Sequence, residues 1–239
     1  MIENIYRIAE KNILLYSLHK SVHSLCKDYL INSPDADNVD FEVTISQDDI
    51  EYERAKNSGG DYSDGYLETL AVYRKIAERM IEFDTFLIHG SCIAIDGQGI
   101  LFTAKSGVGK STHAKNWCEY FGDRVTVIND DKPLVHVEDN QVIIHGTPYN
   151  GKHKRGSNVS VPLKAICILE RGQTNVIKSI TYKDAFPMLI QQTYRPEDKE
   201  KYLSTIKLIE KMSKQLNYYN LQCNMDIESA KVAYEGIMK

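Results

Sequence analysis

The period of the hydrophobic positions changes along the chain, and each change marks an element. Residues 13–18 form an apolar run that predicts a strand. Phe41, Val43 and Ile45 alternate with polar neighbours, the period of a half-buried strand. The rest of 1–63 carries no clear period. A polar, turn-like stretch, NSGGDYSDG at 57–65, then interrupts the chain. Beyond it Leu67, Leu70, Val72, Tyr73, Ile76, Met80 and Ile81 recur at near-helical spacing, predicting an amphipathic helix over 66–83. Residues 85–95 read as one strand containing His89-Gly90, followed by a tight DGQG turn and a short apolar strand at 99–103. A helix is predicted over 110–121 and a β-branched strand over 124–128. Further strands are expected at 134–138, 141–145 and 163–170, helices at 183–192 and 196–214, a last strand at 218–223 and a helix at 226–238. This alternation predicts an α/β fold, with a β-rich N-terminal portion over 1–65 and a second domain over 66–239 whose C-terminal part is helical.

Composition narrows the function classes. The chain has 239 residues, 42% hydrophobic and 26% charged, which suits a globular domain with a substantial core. A net charge of -4 argues against general nucleic-acid binding, which favours basic surfaces. Cys26, Cys92, Cys118, Cys167 and Cys223 are scattered, odd in number and without a CxxC pair, so free thiols are expected rather than zinc or a disulfide framework. No apolar run approaches the roughly 20 residues of a membrane helix, and the N-terminus lacks a signal-peptide pattern. A cytoplasmic protein without a membrane partner is expected.

The strongest chemical feature is AKSGVGKST, made of Ala104, Lys105, Ser106, Gly107, Val108, Gly109, Lys110, Ser111 and Thr112. It lies between a predicted strand and a predicted helix, the context that the phosphate-binding loop G-x-x-x-x-G-K-[ST] requires, with Ala104 in place of the first glycine. Glycines let the backbone approach phosphate oxygens, and consecutive N–H groups at a helix N-terminus favour negative charge. Lys110 would reach the β- and γ-phosphates, and the Ser111 hydroxyl would complete a magnesium shell. A chance glycine-rich turn is the plain alternative.

VTVINDD at 125–131 is the second feature: an apolar strand that ends in two carboxylates. Asp130 and Asp131 can divide the labour, one holding magnesium and the other accepting a proton from an incoming hydroxyl. Two solvated loop charges are the alternative. His89, on the preceding strand, either stabilises charge there or is a core histidine satisfied by backbone groups.

His89-Gly90, GILFT at 99–103, SGVGKS and the strand ending in Asp130-Asp131 together resemble the HPr kinase/phosphorylase family, whose nucleotide domain is related to phosphoenolpyruvate carboxykinase. The resemblance covers residues 85–172. It implies a phosphate-loop nucleotide domain with the mixed β-sheet of that type. It also implies catalytic roles for His89 and Asp131 beside Lys110, and a metal-holding role for Asp130 with Ser111. Three departures stand out. Thr112 replaces the family's glutamate. GTPYNGKHKRG at 146–156 replaces a LEIRG-like segment, and its Lys152, His153, Lys154 and Arg155 either contact phosphates or an acidic acceptor or form a solvated loop. The family's late arginine signature is absent, Arg195 being the nearest candidate. The chain looks more like the smaller, HPr-independent members.

The expectation is therefore an ATP- and Mg2+-dependent kinase whose acceptor bears a hydroxyl, on a peptide, a protein or free serine. A nucleotide-binding regulatory or ATPase module without an acceptor is the alternative. Related kinases form rings or dimers, so a homo-oligomer is compatible with the resemblance.

Overall fold

The computed structural model describes residues 1–31, 38–151 and 153–238. It divides into two units, Met1–Glu82 and Phe83–Lys239. The division falls later than residue 65, because the helix predicted over 66–83 belongs with the N-terminal elements.

In the first unit β1 (Ile2–Ile8) and β2 (Lys11–Ser17) form an antiparallel hairpin, with Ile5 opposite Leu14. Ala9 and Glu10 both take positive φ, 47° and 62°, as a two-residue hairpin turn demands. β3 (Phe41–Thr44) runs parallel to β2. Ile13 and Leu15 on β2 and Phe41 and Val43 on β3 are buried, so period-2 alternation lays one face against the helices. Those helices are α1 (Lys20–Cys26), α2 (Gln47–Lys56) and α3 (Asp64–Met80). α2 begins with a reciprocal capping box between Ser46 and Asp49, and α3 with Ser63 accepting the Tyr66 N–H. Leu67, Ala71, Ile76 and Met80 form the buried stripe of α3. Among its described residues the N-terminal unit carries more helix than strand, α3 being its longest element, and neither α1, α2 nor β1 is legible in the sequence pattern.

The second unit is built on a mixed sheet. Its strands are β4 (Thr85–Leu87), β5 (Ser91–Ile95), β6 (Gln98–Thr103), β7 (Val125–Asn129), β8 (Leu134–Val137), β9 (Val142–His145), β10 (Ser160–Arg171), β11 (Val176–Ile180) and β12 (Asn217–Cys223). The order β4-β8-β9-β10-β6-β5-β7 forms the main path, and β12 pairs with β10 and β11. β10 joins two pairing regimes: Ser160–Pro162 pairs antiparallel with β9, and the rest pairs parallel with β6 and β12. The single strand expected over 85–95 is in fact two. β4 pairs with β8 and β5 with β6 and β7, and the chain changes partners at 88–90.

Helices cover both faces, as a sheet apolar on both sides requires. α4 (Lys110–Phe121) and α7 (Glu228–Met238) bury Ala114, Trp117, Ala230 and Ala233 against Phe102, Cys167 and Leu221. α5 (Tyr182–Gln192) and α6 (Lys199–Ser213) bury Ala185, Leu189, Ile209 and Met212 against Leu101, Ile166 and Ile168. The parallel strands β6, β10 and β12 thus run through the centre of three layers. All five cysteines are free, and Cys26, Cys92 and Cys167 are fully buried. Among the described residues, no helix is long and apolar enough to cross a membrane.

Candidate active site at the end of strand β6

The loop 104–109 leaves β6 and enters α4. Gly107 has φ 79° and Gly109 φ 123°, conformations that an L side chain rarely adopts, so the glycines are what allow the reversal from strand to helix. Gly109 is the N-cap of α4, no side chain caps this end, and the first helical bond is His113 N–H to Gly109 O at 2.9 Å. The early N–H groups of the helix thus keep their partial positive charge for an outside acceptor. The Arg171 guanidinium, at the end of β10, donates to Gly107 O and to Val108 O and holds the loop from outside.

Lys110 turns inward. It is 8% exposed, and its Nζ donates to Ala104 O at 3.1 Å, which closes the loop on itself and leaves two of three ammonium donors uncommitted. Burial lowers its pKa, and Asp131 and Asp130 oppose that shift. Both carboxylates therefore lie within electrostatic reach of the ammonium.

Asp131 is held at three points. Its carboxylate Oδ1 lies 3.2 Å from His89 Nε2, its carbonyl accepts the Gly90 N–H at 2.9 Å, and its own N–H donates to Asn129 Oδ1 at 2.9 Å. Burial alone would raise its pKa, but the bond from His89 and the charges of Lys132 and Lys110 outweigh burial and lower it. Asp131 is thus an ionised carboxylate among cations, with its second oxygen 3.8 Å from Lys132 Nζ. His89 is anchored too: its N–H donates to Gln192 O at 2.7 Å, and its carbonyl accepts from Thr103 Oγ1 at 3.1 Å. Gly90 allows this passage over β6, since a Cβ there would come 2.8 Å from Phe102 O.

Asp130 is 4% exposed. Its Oδ1 accepts from Ser91 Oγ at 2.7 Å, whereas Oδ2 is buried without a partner. An unpartnered buried carboxylate oxygen is costly unless a cation or water completes it. The all-oxygen character of Asp130 and the Ser111 hydroxyl suits a hard ion such as magnesium. Among the described residues, no group of three His, Cys, Asp or Glu side chains is placed to hold a metal ion, so phosphate and water would have to supply most of its shell, as is usual for magnesium.

The structure thus brings Lys110, His89, Asp130 and Asp131 together at one end of the sheet. Arg195 is exposed, and its guanidinium donates to Ile190 O at 3.4 Å. Lys152 lies outside the described residues, and His153, Lys154 and Arg155 are exposed. Several supporting residues were not singled out from sequence. Asn129 accepts the N–H of both Asp131 and Lys132, and its amide donates to Thr147 O and Oγ1 at 3.1 and 3.0 Å. Thr147 Oγ1 in turn donates to Lys132 O at 2.8 Å. The available signal was Asn129 directly before two aspartates, because an Asn side chain readily bonds the backbone two residues on.

Fold and site together define an α/β domain whose central parallel strands end at a glycine-bent loop facing two carboxylates. The chain belongs to the family described as SynChlorMet cassette protein ScmC, whose model matches residues 65–226. Comparison with curated proteins gives no match. Among solved structures, the Hpr(Ser) kinase/phosphatase from Coxiella burnetii is similar over 64% of this chain and 96% of that one, at 11% identity and a TM-score of 0.38. Likeness at that level carries no argument about fold or activity.

Proposed function

We propose that the chain is an ATP- and Mg2+-dependent kinase that transfers the γ-phosphoryl group to a hydroxyl. One observation carries the reading: the ionised Asp131, paired with His89 at 3.2 Å, shares the electrostatic field of the buried Lys110 at the start of a glycine-bent loop. A carboxylate held ionised beside a glycine-bent loop is suited to accept a proton from an alcohol.

In this reading the loop from Ala104 to Thr112 receives the triphosphate through main-chain N–H groups at the helix N-terminus. Lys110 supplies two free donors to the β- and γ-phosphate oxygens. Magnesium, held by Ser111 and Asp130, would neutralise phosphate charge. Asp131 orients the acceptor hydroxyl and takes its proton as the oxygen–phosphorus bond forms. The bond from the γ-phosphorus to the bridging oxygen breaks, and ADP leaves with that electron pair. Lys110 and His89 face the negative charge that develops during transfer.

Mass spectrometry tests the proposal. The purified chain is incubated with ATP, Mg2+ and candidate peptides, proteins or free serine, and a gain of one phosphate on any of them is expected. Binding of ATP with no phosphorylated product across hydroxyl acceptors would overturn it in favour of a nucleotide-binding module.

A further inference from the structure

The proposed kinase reading does not use a cavity of about 570 Å³ on the α5 side of the sheet, beside the loop. Lys105 of the loop forms one wall. Glu170 near the end of β10 and Asn220 in the middle of β12 form another, and Asp184 and Gln191 of α5 form a third. Ile168 and Met188 give it an apolar floor. Two of its lining residues adjoin, along the chain, residues that hold the site. Lys105 directly follows Ala104, whose carbonyl holds Lys110 Nζ, and Gln191 directly precedes Gln192, whose carbonyl holds the His89 N–H.

The polar lining is uncommitted. Among the described residues, the side chains of Lys105, Glu170, Gln191 and Asn220 have no hydrogen bond or ion pair, and Asp184 spends only Oδ2, on the Thr181 N–H and hydroxyl. Two carboxylates against one ammonium favour a cationic ligand. The two amides offer donor and acceptor together, the pattern that meets a peptide main chain. The volume lies within the range of pockets that enclose multi-group ligands, so a single amino acid would leave most of the lining unmet.

From these features, and resting on the kinase reading, we propose that this cavity receives the phosphoryl acceptor, a peptide segment with a basic residue beside its hydroxyl residue. The ammonium or guanidinium of that residue meets Glu170 and Asp184. The main chain pairs with Gln191 and Asn220, and an apolar neighbour rests on Ile168 and Met188. The hydroxyl then points out of the cavity towards His89 and Asp131.

Blocked lysyl-seryl-leucine and glutamyl-seryl-leucine tripeptides, and free serine, test this with the full chain. Binding is read from the side-chain amide resonances of Gln191 and Asn220, and transfer from mass spectrometry with ATP and Mg2+. The lysyl peptide should shift both resonances, bind about tenfold more tightly than the glutamyl peptide, and gain the phosphate. Glu170→Gln should erase most of that preference while leaving ATP affinity unchanged. Equal binding of the two peptides, or unmoved Gln191 and Asn220 resonances, overturns the proposal whether or not ATP turns over. Preferential phosphorylation of free serine overturns the peptide assignment and leaves the kinase reading standing. If the lysyl peptide binds at the two amides without gaining phosphate, the kinase reading and the acceptor role fall together, and only a peptide groove remains.

Discussion

The carboxamide oxygen of Asn129 accepts the main-chain N–H of Asp131 at 2.9 Å and that of Lys132 at 2.7 Å. This side chain ends strand β7 and sets the direction in which Asp131 leaves it. The position of the proposed base is thus fixed from its own backbone, independently of any ligand.

Asn129→Ala removes both acceptor bonds and leaves the Asp131 and Lys132 N–H groups without that partner. The buried, unpaired groups should cost about 1–3 kcal/mol of stability. Transfer should slow by about tenfold to a hundredfold, because small displacements of a positioned group are amplified in rate. Nucleotide affinity should change little. Denaturant unfolding, nucleotide titration and turnover, measured together, separate these effects.

Asp131→Asn keeps the size of the side chain and the main-chain bonds to Gly90 and Asn129, but not the base. ATP should still bind, while transfer to any acceptor should fall by at least about a hundredfold. Normal transfer in this variant would show that proton acceptance lies elsewhere.

Lys110→Ala removes the buried ammonium and the clasp to Ala104 O. Loss of one strong electrostatic contact at a phosphoryl-transfer site slows turnover by about a hundredfold to a thousandfold. Turnover with ATP and an identified acceptor is the measurement. An unchanged rate would remove Lys110 from the site.

Gly107→Ala meets no atom within 4 Å, so its whole effect is the backbone at φ 79°. A side chain there should cost about 1–3 kcal/mol, or the loop should relax to negative φ and lose phosphate affinity. Comparing unfolding midpoints with nucleotide affinity shows which response the loop takes.

His113 provides a test of acid stability. Trp117 Nε1 can only donate, and it lies 3.0 Å from His113 Nε2, so that nitrogen is the acceptor of a neutral ring. Burial pushes the His113 pKa down to about 3. The unfolded chain, with a histidine near 6.5, binds the proton first, so stability should fall as pH drops below about 6.5 and continue falling towards about 3. The slope from this group approaches about 1.4 kcal/mol per pH unit within that window. Burial and the nearby His136 likewise push His145 down, to about 4, which adds to the slope. His113→Gln should flatten the acid limb by about one proton, as read from denaturant midpoints at pH 7, 6 and 5.

Where one face or one run decides the structure, the elements were readable in the sequence. The 110–121 helix matches α4 residue for residue, because a glycine stop and a buried Ala114 and Trp117 stripe define it. β11 was missed: its burial pattern is largely exposed, so hydrophobic period gave no signal, and it exists through pairing with β12. α2 was missed for a related reason. Its QDDIEYERAK sequence is almost wholly polar, and a capping box with end-matched charges specifies it instead. The break between β4 and β5 was invisible because both strands are buried throughout, and only the change of partner distinguishes them. In the site, residues with ionisable chemistry were legible from sequence. Asn129, Thr147 and Ser91 were not, since their role depends on which loops fold next to one another.

β10 belongs to two pairing schemes at once, with its first residues in the antiparallel part of the sheet and its remainder between β6 and β12. Neither part can open without releasing the other, so the strand should act as a seam of cooperativity. Its amides at 165–169 should be the last to exchange with deuterated solvent, opening only in global unfolding. Two of its partners, β6 and β12, come from sequence-distant segments, so the parallel part of the seam can close only late in folding, after long chain excursions have been brought together.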